Sequence, residues 1–155
     1  MRKIYLLLGF ILVLGACLKD DIKTYRGDNY LQFVKVVTDS SVCSFLAYPN
    51  DNELEFPVEV EVIGLPSDRE QEYKISVDQA KSTATTANYR LPDKFTMKPG
   101  KVRDTCKITF VKTAEISTVA LRLTLKLEPT TDFLLGQTEC RSAIIYVSNV
   151  VAKPN

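Results

Sequence analysis

The residues best suited to chemistry in this chain are four cysteines, a ladder of carboxylates and seven tyrosines. There is no histidine and no tryptophan in the 155 residues. Without histidine the chain lacks the commonest general base at neutral pH, every Ser-His or Cys-His dyad, and the usual ligand set of catalytic zinc. That weighs strongly against a hydrolase. Without tryptophan it lacks the best platform for stacking a sugar or a cation, which leaves tyrosine as the substitute. The ladder Glu55, Glu59 and Glu61, with Asp51 and Glu53 nearby, offers oxygens of the kind calcium takes. Residues two apart on one strand face lie about 6.5–7 Å apart, so the ladder alone cannot chelate one ion, and it reads as a solvated strand face with no metal. A glycosidase needs two carboxylates at a defined separation, and nothing in the spacing of the acids recommends such a pair. No catalytic residue, metal or cofactor is therefore assigned. Tyr25, Tyr30, Tyr48 and Tyr89 are the candidate ligand contacts. The competing reading makes them core plugs or corner tyrosines, a role that suits Tyr89 near a loop end.

Cys17 stands apart because of what precedes it. Arg2 and Lys3 form a positive head, Ile4 to Leu14 an apolar run, and Leu14-Gly15-Ala16-Cys17 a small-residue close, which together make a secretory signal peptide. The run falls well short of the roughly 20 apolar residues a membrane-crossing helix needs before Lys19, Asp20 and Asp21 end it. The same four residues resemble a bacterial lipobox. That resemblance implies cleavage after Ala16, acyl chains such as palmitate on Cys17, and a chain held to a membrane by them. The expected division is signal peptide 1–16, lipidated tether 17–27 and one domain over 28–155. About ten residues of flexible tether would hold that domain on the order of 15–20 Å from the bilayer.

Removing Arg2 and Lys3 with the signal leaves 18 basic against 19 acidic residues. The basic residues are interspersed with acids, so there is no clustered footprint for nucleic acid. Setting Cys17 aside leaves Cys43, Cys106 and Cys140, an odd number that cannot all pair within the chain. Cys106 shares a strand phase with Ile108 and Phe110, and Cys43 with Phe45, so buried thiols are the preferred reading and one disulfide the alternative.

These residues must be positioned by strands, because the hydrophobic period is two almost throughout. Phe56, Val58, Val60 and Val62 alternate with Glu55, Pro57, Glu59 and Glu61. From Val119 to Leu127, Val119, Leu121, Leu123, Leu125 and Leu127 alternate with Ala120, Arg122, Thr124 and Lys126. At helical spacing those leucines would wind round the cylinder, so strand wins over leucine's helix propensity. Further strands are expected at 31–37, 41–48, 72–77, 95–98, 103–111 and 141–147. Between them fall turn signals such as Pro49-Asn50-Asp51-Asn52, Pro99-Gly100-Lys101 and Glu128-Pro129-Thr130-Thr131-Asp132. Short strands with no amphipathic helix predict an all-β fold, an antiparallel β-sandwich with immunoglobulin-like packing. The loop Asp78 to Asn88 reads either as a mobile surface connection or as one wall of a binding site.

Two further resemblances attach to these residues. Cys17-Leu18-Lys19-Asp20-Asp21 is similar to the lipoprotein export signal of Bacteroidota, in which Lys19, Asp20 and Asp21 would direct the chain to the outer face of the outer membrane. Tyr25-x-Gly27 with Tyr30 and Phe33, then Phe56 to Arg69, Thr86 to Pro92, Phe95 to Lys101 and Leu121 to Gly136 resemble a family of surface lipoproteins, domain-of-unknown-function family 4843. The resemblance implies an immunoglobulin-like or Calx-β-like sandwich, often found beside proteins of glycan uptake, and carries no catalytic residues. Ala87-Asn88 stand where Calx-β-like loops have Gly and Asp, so no calcium site is carried over. Three function classes follow. The first is a lipid-anchored surface binding module with glycan as the favoured ligand. The second is an assembly subunit pairing through an exposed strand such as Arg141 to Val147, and an enzyme comes last.

Overall fold

The computed structural model describes residues 27–35 and 37–150. Ten strands run β1 Tyr30–Phe33, β2 Ser41–Ser44, β3 Glu53–Ile63, β4 Gln71–Val77, β5 Tyr89–Arg90, β6 Phe95–Met97, β7 Arg103–Val111, β8 Leu121–Glu128, β9 Leu134–Leu135 and β10 Ser142–Ser148. They form two five-stranded sheets, ordered β5-β7-β3-β1-β9 and β2-β10-β8-β4-β6. Taking β1 and β2 as two halves of one first strand, this is the immunoglobulin order, one half in each sheet. Pairing is antiparallel except between β1 and β9 and between β2 and β10, which are parallel. The sheets are therefore mixed where the sequence predicts antiparallel ones.

The alternating residues meet between the sheets. Val58, Val60 and Val62 of β3 and Cys106, Ile108 and Phe110 of β7 face Leu121, Leu123, Leu125 and Leu127 of β8, with Ile145 and Val147 of β10. Phe56 packs edge-on to Phe110 with ring centroids 6.2 Å apart. On the outer face of the first sheet, the glutamates of β3 meet cations of β5 and β7: Glu53 with Arg90 at 2.7 Å, Glu55 with Lys107 at 2.6 Å and Glu61 with Arg103 at 2.8 Å. The acidic ladder is thus one half of a cross-strand charge pattern. No cluster of potential metal ligands occurs among the described residues.

β8 departs from simple alternation. Thr124 points away from the leucines yet is only 2 % exposed, because segment 78–84 lies over it. Where β4 ends, this segment takes over the hydrogen bonding of β8. The Thr83 and Ala84 N–H groups donate to Arg122 O (2.8 and 3.0 Å), the Arg122 N–H donates to Thr83 Oγ1 (2.7 Å), and Thr124 Oγ1 donates to Lys81 O (3.0 Å). Asn88, 1 % exposed, closes the segment: its Oδ1 accepts from the Thr85 N–H (2.8 Å) and its Nδ2 donates to Thr113 Oγ1 (2.9 Å). The loop is a tied-down cover on the second sheet.

The turns at the β1-start end are cross-tied too. Asp132 accepts from Arg69 at 2.5 Å and from the Glu72 N–H at 3.2 Å, and the Gly100 N–H donates to Ser67 O at 2.8 Å. The Arg69 guanidinium holds the Asp132 carboxyl below the usual aspartate range, with the Glu72 N–H adding to the effect. A carboxyl lowered in the folded state stabilises fully above its unfolded value and loses that contribution as pH falls through the folded one. Asp132→Asn should therefore lower the urea midpoint at neutral pH and narrow the gap to wild type on acidification. Leu123→Ala, at a site with no exposure, should cost about 2–5 kcal/mol by urea unfolding, whereas Lys107→Ala on the exposed face should stay within about 1 kcal/mol.

Candidate binding groove

The described surface is concave and apolar where the first strand changes sheets. β1 pairs with β3 from Tyr30 opposite Ile63 to Phe33 opposite Val60, and the Val34 N–H still donates to Glu59 O at 3.1 Å. The chain then crosses to the other sheet and resumes as β2 at Ser41, opposite Ile145 of β10. Parity fixes what this leaves behind. The Val62 N–H donates to Val102 O on the β7 side, so even-numbered residues of β3 aim their peptide groups at β7 and odd-numbered ones at β1. Beyond Glu59 the odd residues are Pro57, Glu55 and Glu53, and no described strand pairs with them there. Pro57 has no N–H to donate, and it sits where none is needed. The charged neighbours discourage another strand from adding to this edge.

Between that stretch of β3 and the start of β10 opens a groove of about 240 Å³. Phe33, Phe56, Val58 and Ile145 make its apolar floor, while Lys35, Asp39, Ser41 and Glu59 supply charged and hydroxyl groups at its mouth. Lys35 lies 3.7 Å from Asp39 and 3.4 Å from Ser41 Oγ, so the crossover itself orders the rim. A few polar groups round an apolar floor is the general form of a small-ligand site. The volume falls below the roughly 300–1,000 Å³ of a drug-sized pocket, which suits one ring or the end of a chain.

The sequence-derived candidates are scattered. Tyr30 and Tyr48 lie towards opposite ends of β3, since Tyr30 pairs with Ile63 and Tyr48 precedes the turn into Glu53. Ten residue steps at about 3.3 Å put some 33 Å between those ends, so the two rings cannot form one platform. Tyr48 is exposed, whereas Tyr89 is buried in the core with its hydroxyl accepting from Gln79 Nε2 at 3.0 Å. Tyr89 is thus the plug of the competing reading, and its candidacy as a ligand contact is withdrawn. Cys17, Lys19, Asp20, Asp21 and Tyr25 lie outside the described residues. No helix among the described residues is long and apolar enough to cross a membrane. Sequence reading missed the groove because its residues come from three separated segments. The one available signal was Pro57 within an otherwise regular strand.

Cys43, Cys106 and Cys140 are buried and free. Burial pushes the Cys43 thiol up to about 11 and, with the Asp104 charge adding, the Cys106 thiol up to about 12. Cys106 Sγ donates to Val58 O at 3.3 Å. Beside it the Tyr73 hydroxyl, its proton held more tightly through burial and the Asp104 contact, donates to Asp104 Oδ2 at 2.5 Å. These are structural thiols. A disulfide-exchange reagent at mildly alkaline pH should leave Cys43 and Cys106 untouched in the native chain and modify both on denaturation.

The model of a domain of unknown function, DUF4843, matches residues 24–155. The chain belongs to this family. No curated protein matches it. Three Bacteroides ovatus crystal structures share the fold. One, described as a "putative carbohydrate binding protein", is 9% identical with a TM-score of 0.54, covering 79% of this chain and 37% of its own. A second, of unknown function, is 12% identical with a TM-score of 0.58, covering 83% and 46%. A third, also of unknown function, is 15% identical with a TM-score of 0.52, covering 76% and 46%. The chain thus spans less than half the length of each, and at these identities the likeness extends to the fold alone.

Proposed function

We propose that this DUF4843 chain is a non-enzymatic binding module, anchored through acyl chains on Cys17 to the outer face of an outer membrane, which captures the end of a glycan in the crossover groove. The observation that carries the reading is the groove itself, an apolar floor containing Phe56 under a rim of Lys35, Asp39, Ser41 and Glu59. An aromatic ring packs its face against the C–H groups of a sugar while charged and hydroxyl groups take its hydroxyls. The fold likeness to a Bacteroides ovatus protein described as a "putative carbohydrate binding protein" points the same way. Lys19, Asp20 and Asp21 supply the export signal and the tether supplies the reach. Catalysis is left out because the chain contains no histidine and its outer-face glutamates Glu53, Glu55 and Glu61 are committed to ion pairs.

The assembly-subunit alternative loses the strand it relied on. β10 has β8 on one side and, over Ile145–Ser148, β2 on the other, so only Ser142–Ile144 at its start are left unpaired on that second side. The true edges β5, β6, β9 and β2 are two to four residues long, too short to template a partner strand.

Affinity electrophoresis through immobilised polysaccharides, followed by calorimetry on any that retard the protein, tests the reading. Ala143→Phe should fill the groove from β10 and weaken binding at least about tenfold, about 1.4 kcal/mol, with the far-UV spectrum unchanged. Tyr48→Ala, outside the groove, should bind like wild type. Binding that survives Ala143→Phe and disappears with Tyr48→Ala would move the site to the far end of the sandwich.

A further inference from the structure

The two ends of the sandwich are not equivalent, because the tether leaves from one of them. Gly27 leads directly into β1, whose first residue lies beside the end of β3 and the start of β9. There Tyr30 is register-paired with both Ile63 and Leu134, which sets three apolar side chains in a row across neighbouring strands. Ile63 is 49% exposed and Leu134 44%. The turn after β3 adds Leu65, 48% exposed, and the turn before β7 adds Val102, 38% exposed, flanked by exposed Lys98 and Lys101.

These turns are held rigidly. The Leu65 N–H donates to Asn29 Oδ1 at 3.1 Å, and a Cβ added at Gly64 would come within 2.1 Å of that same oxygen. The Ser67–Gly100 and Arg69–Asp132 contacts tie the remaining turns together. Exposed apolar side chains gathered at one end are the form that an interaction surface takes. The far end carries a comparable set in Val42, Leu46, Tyr48 and Val119, so it is the exit of the chain at Gly27 that singles out this one.

We infer that this end is a membrane-contact face, seated on the lipid surface to which the chain is anchored. The inference rests on the anchoring reading of Cys17. Residues 18–26 link the expected acyl chains to Gly27, and a flexible link of that length has a root-mean-square span on the order of 15–20 Å, which keeps the face carrying Leu65 and Val102 close to the bilayer. Lys98 and Lys101 find anionic headgroups there, while Asp28, Asp68 and Glu70 are exposed acids at the same end. Leu65, Ile63 and Leu134 enter the boundary between headgroups and acyl chains. Seating this end orients the molecule, with the far end of the sandwich facing outward and the groove on its side.

The absence of tryptophan makes the test clean, because one introduced indole is the only one in the chain. Leu65→Trp and Val119→Trp place it on exposed sites at the near and far ends respectively. The full chain, processed in a bacterial host, is reconstituted into phosphatidylcholine–phosphatidylglycerol vesicles with brominated acyl chains and floated on a density gradient. The expected result is flotation of both variants, with a blue shift and strong quenching for the indole at 65 and neither for that at 119. Flotation with no quenching at 65, or equal quenching at both sites, overturns the contact face while leaving the anchor intact. Failure to float overturns the anchor and the contact face with it.

Discussion

The structure depends on one division of hydrogen bonds. The first strand gives its opening residues to β3 in one sheet and its closing residues to β10 in the other, crossing between Phe33 and Ser41. This crossover closes one side of the sandwich and places Phe33 and Cys43 in the same core from opposite sheets. Its cost is a stretch of β3 and a corner of β10 with no strand between them. The groove is the space that this division leaves, and Lys35 and Asp39 of the crossing segment form its rim. A first strand confined to one sheet would have covered the floor with backbone.

The parts of the fold legible in the sequence are those governed by period two. β7 falls at Arg103–Val111 as its alternation dictates, β4 starts one residue before its expected range, and β8 begins at Leu121, two residues after the start of the alternation at Val119. The core positions of Cys43 and Cys106 follow from the same phase. What was not legible depends on contacts between distant segments. The expected strands 31–37 and 41–48 are cut to four residues each, because the chain must turn between sheets and Ser44 caps a 3₁₀ turn over Phe45–Ala47. Strands β5 and β9 are two residues long and carry no periodicity, existing only because Tyr89 meets Phe110 and Leu134 meets Tyr30. Thr124 looks like a solvent-facing residue until segment 78–84 is laid over it.

The candidate site was still less legible, for the same reason. Tyrosines marked it in the sequence, but their roles are set by burial and position, which put Tyr89 inside the core and Tyr30 and Tyr48 at opposite ends. The residues that line the groove are ordinary strand residues singly, and only the crossover makes them neighbours. Pro57 is the exception, since its missing N–H already distinguished one edge of β3 from the other.

Whether ligand is held in the crossover groove is tested most directly by backbone resonance mapping. The ¹⁵N-labelled chain would be titrated with a glycan that it retains. A ligand in the groove concentrates the shifts at Phe33 to Ser41, Phe56 to Glu59 and Ala143 to Ile145, with the outer face of β7 silent. Shifts confined to Tyr48 and its turn, or to Lys98 and Lys101, with the groove unmoved, would contradict binding there.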